Sequence, residues 1–117
     1  MTIKDLQKWQ KRLGLMDWRI RFYTNVNATD MSDHDFQGEA GWDEASKTAK
    51  IKILNPAQYG PRVVPFDEEE TLVHELLHLK FALLDNSGNA LQDRIVHQLI
   101  DDLARALIEA DRAKTRT

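Results

Sequence analysis

His74-Glu75-Leu76-Leu77-His78 puts two imidazoles four residues apart with a carboxylate between them. On an α-helix such positions share a face, with Cβ atoms about 5–6 Å apart. Both rings can then reach one ion at roughly 2.0–2.1 Å, the zinc–nitrogen distance. Glu75 lies about 100° further round the helix. It stands beside the pair, where it can accept a proton from a water at the metal. That water can attack a peptide carbonyl polarised by the same ion, and the glutamate can pass the proton to the leaving amine. His74 and His78 are therefore candidate ligands, and Glu75 a candidate general base. The competing explanation is two histidines that fall on one helix by chance. The context favours chemistry: Leu72, Val73, Leu76, Leu77, Leu79, Leu83 and Leu84 can bury the back of the helix and hold both rings in place. The chain has no cysteine, so a metal must sit on His, Asp or Glu.

A catalytic zinc usually keeps three protein ligands and one open position. The compact motif that adds a glycine and a third histidine downstream is excluded, because Phe81 and Leu84 occupy those places. The third ligand then comes from the next helix. "DNSGN", 85 to 89, is a short turn, and helices over 67–84 and 89–113 form an antiparallel hairpin. At about 1.5 Å per residue on both helices, His97 returns level with His78, and Asp101 level with His74. Asp93, level with Ala82, fits worst by height. His97 is the preferred ligand and Asp101 a candidate orienter of a ligating histidine. The apolar stripe of this helix centres on Leu99, Leu103 and Leu107, with His97 at its edge.

The elements that must position these residues follow from periodicity. Ile3, Leu6, Trp9 and Leu13 mark an amphipathic helix that Gly14 ends. "WRIRFYT", 18 to 24, alternates like a half-buried strand, and residues 25–35 form a polar loop. "FQGEAGW", 36 to 42, is a glycine-weakened strand. "DEASKT" is a hairpin turn, and "AKIKIL", 49 to 54, a further strand. Residues 55–66 carry all three prolines and form a long connection. Asp67 with Glu70 resembles a capping box for the histidine helix, and Asn89 can cap the last one. The order is an N-terminal helix, three strands and two helices. It predicts an α+β fold with a small antiparallel three-stranded sheet packed on the helices.

With 117 residues, the chain is read as one domain, 1–117. The net charge is -3 and no basic block stands out, so nucleic acid is not expected as a partner. No apolar run reaches the length of a membrane span, and the polar start does not read as a signal peptide. These features fit a cytoplasmic setting. Oligomeric state is left open.

The stretches "LGLMDWRIRF", "AKIKIL", "HELLHLKF" and "HQLIDDLARAL" together resemble the minimal zincin-like metallopeptidases of bacteriophages and prophages. The resemblance covers most of the chain and implies a zinc peptidase acting on a peptide or protein substrate. In such proteins a glutamate on the helix after the motif is the usual third ligand. His97 stands at the matching position and resembles the three-histidine arrangement of SprT-like proteases. The resemblance also implies that "AKIKIL" or "FQGEAGW" is the sheet edge over the cleft, where an extended peptide adds as a strand. Lys50 and Lys52 on such an edge would equally guard against aggregation.

Four further groups have weaker claims. His34 lies in the polar loop, as a possible metal neighbour or a solvent-exposed side chain. Tyr59 is a candidate oxyanion donor or a packing residue. Asp85, seven residues after His78 on the same face, can support that histidine or shape the helix end. Trp9, Trp18 and Trp42 are assigned to the core. Two other functions compete with peptide hydrolysis: a metal-dependent hydrolase of another substrate such as RNA, and a phage regulatory protein that binds a partner and keeps the metal for stability.

Overall fold

The computed structural model describes residues 1–115 except His34 and Asn86, so His34 lies outside the described residues. The fold is α+β. Helix α1 spans Ile3–Arg12, followed by strands β1 (Arg19–Val26), β2 (Gly38–Asp43) and β3 (Thr48–Leu54), then helices α2 (Glu68–Lys80) and α3 (Ala90–Thr115).

The N-terminal helix is started by Thr2, whose amide and hydroxyl both bond the Asp5 carboxylate. Gly14, at φ +70°, turns the chain out of it in a conformation that costs other residues strain. Leu6 and Trp9 carry its apolar face into the core. Buried Gln10 donates to the carbonyls of Leu15 and Trp18 at 3.0 and 3.1 Å, which fixes the path into β1. The indole N–H of Trp9 donates to Glu69 at 2.7 Å. Lys8 bridges Glu69 and Asp111, and Arg112 forks onto Asp67 at 2.6 and 2.9 Å. One ionic cluster thus joins α1, the start of α2 and the end of α3.

The sheet order is β1-β3-β2. β2 and β3 form an antiparallel hairpin, with Trp42 opposite Ala49 and Gly38 opposite Ile53. β1 runs parallel to β3, with Phe22 opposite Ile51. The sheet is therefore mixed, not wholly antiparallel. The segment 27–37 carries the chain past the place β3 will fill, and the hairpin then folds back into that gap. This order decides between the two strands expected at the edge: β2, which holds most of "FQGEAGW", is the edge strand. "AKIKIL" is the central strand, with Ile51 and Ile53 fully buried, and Lys50 and Lys52 stand on its solvent side, guarding no edge. Alternation reports which face is buried and says nothing about lateral position. The free edge beside α2 belongs to β2.

Leu72, Val73, Leu76, Leu77 and Leu79 bury the back of α2 as expected. The helix closes at Lys80, short of Leu84. Leu84 and Asp85 donate back to the Phe81 carbonyl in a separate turn. Leu83 and Leu84 are consequently exposed and bury nothing. On α3, Asn89 caps by accepting from the Gln92 amide. The buried stripe is Val96, Ile100, Ala104 and Ile108, whereas Leu99 and Leu103 face outward. Of the stripe expected at Leu99, Leu103 and Leu107, only Leu107 packs against the core, so the buried stripe is rotated from the expected one. Small Ala104 at the contact lets α3 approach α2 closely, and that face carries His97 and Asp101 toward α2.

Candidate metal centre

The α2–α3 hairpin brings His74, His78 and His97 together. Their ring centroids form a near-equilateral triangle of 5.0, 5.1 and 5.6 Å. One ring nitrogen from each lies within 4.8 Å of the others. The Nε2 atoms of His74 and His78 are 3.2 Å apart. Two ligands at tetrahedral angles, each roughly 2.0–2.1 Å from a zinc ion, stand about 3.3 Å apart, so this pair already has the spacing of a shared ion.

The other ring nitrogens show why. His78 Nδ1 lies 2.5 Å from Asp85 Oδ2, and His74 Nδ1 lies 2.9 Å from Asp101 Oδ1. A ring that donates from Nδ1 to a carboxylate presents a bare lone pair at Nε2. Two such lone pairs at 3.2 Å repel unless a positive charge lies between them. Burial, and then the neighbouring His78, push the His74 pKa down to about 4, with Asp101 opposing only in part, so His74 itself does not hold that charge at neutral pH. The donor set fits a cation that takes imidazole nitrogen, zinc foremost.

Glu75 is 6% exposed and lines the same cleft. Its position depends on Gly38 in β2. A Cβ on that glycine would stand 2.6 Å from Thr71 Cγ2 and 3.3 Å from the Glu75 carboxyl. Burial drives the Glu75 pKa up to about 8, and the negative fields of Glu39, Asp85 and Asp101 add to the shift. Nearby positive charge would return it toward the carboxylate.

The cleft has a volume of about 490 Å³. Its floor is the histidine face of α2. One wall is β2 from Gly38 to Trp42, and the other is α3 at His97, Asp101 and Arg105. Trp42 stacks on His78, with ring centroids 6.3 Å apart. It therefore lines the site while also packing against the core, and Trp9 and Trp18 are buried in the core as expected. Tyr59 is buried away from the cleft with Met31 and Leu54, and its hydroxyl donates to the Val64 carbonyl. Asp93 is engaged by the Ser87 amide and hydroxyl, both at 2.8 Å, and stands apart from the histidines. Asp101 meets His74 at its Nδ1, the nitrogen turned away from His78, which is the place of an orienting group. Sequence reasoning passed over Gly38, although an isolated glycine in a strand signals a close approach.

Comparison with protein-family models, with curated proteins and with solved structures finds no match for this chain.

Proposed function

We propose that the chain is a zinc-dependent peptidase in which His74, His78 and His97 hold the metal and Glu75 is the general base. The paired Nε2 atoms of His74 and His78, each turned inward by a carboxylate on the far ring nitrogen, carry this reading. Zinc bound there supplies Lewis-acid polarisation of a carbonyl and makes a water more acidic.

The protein's own groups do the rest. Asp85 and Asp101 hold the two imidazoles in the tautomer that leaves Nε2 free. Glu75 takes one proton from the attacking water and delivers it to the leaving amine, so the carboxylate is regenerated each cycle. The free edge of β2 borders the cleft, and an extended substrate pairs with it as an added strand. The substrate class is a peptide or a flexible protein segment. On the resemblance to phage minimal zincins, the protein would act in the cytoplasm of a bacterial host. Among the described residues, no helix is long and apolar enough to cross a membrane.

The test pairs metal content with turnover, on protein purified without a metal-affinity tag. Wild type should hold about one zinc per chain and cleave peptides from a mixed library. Glu75→Gln should keep the zinc and lose roughly 100-fold or more in rate. His97→Ala should retain zinc more weakly. Turnover that survives Glu75→Gln overturns the mechanism, and failure to take up supplied zinc overturns the site. Zinc with no turnover on any peptide favours the regulatory-protein reading.

A further inference from the structure

The solvent-facing side of the sheet carries its charges in rows set by the strand register. Glu39 of β2 lies opposite Lys52 of β3, and the two form an ion pair at 3.8 Å. In the next row, Lys50 lies opposite Gly41 of β2 on one side and opposite Arg21 of β1 on the other. That row holds two cations and no acid, and like charges directly opposite each other are unfavourable. Among the described residues, neither Arg21 nor Lys50 forms an ion pair. The carboxylates to either side along β2 are engaged elsewhere: Glu39 with Lys52 and the Ser32 amide, Asp43 with the Ala45 amide. Gly41 itself is required neither by its backbone nor by packing. Its φ is not positive, the β2–β3 register runs through it without a bulge, and a Cβ there would meet nothing within 4 Å. Gly38, by contrast, is held by the close approach of Thr71 and Glu75. A strand glycine without such a reason marks a place where a ligand comes close to the backbone. Here it opens a recess of about 520 Å³, lined by Arg19, Arg21 and Lys50, beside the free edge of β2.

We propose that Lys50, with Arg21 behind it, selects a glutamate in the peptide strand that adds to β2, at the position opposite Gly41. The inference deepens the peptidase reading and rests on its strand addition. An added strand continues the alternation of the sheet, so its residue opposite Gly41 points to the solvent-facing side, as Lys50 does. Lys50 lies two strand spacings from that residue, roughly 10 Å. The two long side chains meet over the bare glycine. The glutamate then supplies the acid missing from this row, as Glu39 does for Lys52 in its own. On the opposite face of β2, Trp42 borders His78 and Gly38 borders Glu75. The selected residue therefore lies close to the bond that is cut.

Fluorescence anisotropy on zinc-supplied Glu75→Gln protein reads binding without cleavage. The probes are short end-blocked peptides of neutral sequence in which one glutamate, glutamine or lysine is moved along the chain. One position should favour glutamate over glutamine roughly 5-fold, and added salt should erode the preference. Lys50→Ala and Gly41→Val should each abolish it, with circular dichroism and thermal unfolding confirming that both variants keep the fold. Lys50→Glu should favour lysine at the same position. Absence of binding, no position with a charge preference, or a preference that survives Lys50→Ala overturns the proposal. Charge-selective binding by a protein whose wild type cleaves no peptide supports the selectivity and overturns the peptidase reading alone. Cleavage without the preference does the reverse.

Discussion

The two histidine–carboxylate pairs make the same bond in different surroundings. Asp85 reaches His78 from the turn directly after α2, and its side chain is only 7% exposed. Asp101 reaches His74 from another helix, and its side chain is 49% exposed. A buried carboxylate acts through a low dielectric and has little water competing for it, whereas an exposed one is screened. The local, buried pair therefore fixes its ring more firmly than the remote, wet one. Of these two candidate ligands, His78 is the anchored one and His74 the adjustable one.

Removing the carboxylates one at a time is the strongest test of that contrast. Asp85→Ala should lower zinc affinity by roughly 100-fold, and Asp101→Ala by roughly 10-fold, the two ends of the range for groups that orient a ligand. Competition with a chelator of known affinity measures both. Equal losses would break the comparison. Raising the salt concentration should erode the Asp101 contribution and spare that of Asp85.

A smaller effect should appear at the opposite end of the helices, where Arg112 forks onto Asp67 with no bearing on the metal. Arg112 holds the Asp67 carboxyl below its ordinary pKa, against some burial. A carboxylate depressed in the folded state adds stability above its unfolded pKa and loses it as pH falls through the folded value. Arg112→Ala should thus cost about 1 kcal/mol or less at neutral pH, because the pair is partly exposed. The gap from wild type should close as pH falls below about 4. Urea unfolding across that range is the measurement. A gap that persists in acid would assign the loss to packing of the arginine stem.

The legible parts of the molecule were those written in local spacing. The histidine pair and Glu75 follow from helical geometry alone, and His97 follows once a short turn fixes the hairpin. The sheet order was not legible, because alternation in 49–54 is the same for a central strand and an edge. Nor was the inward face of α3. Apolar residues cover more than half its circumference, and the four-residue spacing of Leu99, Leu103 and Leu107 suggested that face. Close packing instead selected the face with Ala104. Gly38 was missed because its role depends on Glu75, far away in the chain.

The parallel pairing of β1 with β3 bears on the order in which the chain can close. A parallel pair cannot form by a tight turn, and here the whole of β2 lies between its partners. Its loop-closure entropy exceeds that of the α2–α3 hairpin, whose helices are joined by the nine residues 81–89. The candidate ligands and the candidate base all lie on the hairpin with the shorter closure. The expensive closure belongs to a strand that touches neither, so the histidine cluster can assemble before the sheet is complete.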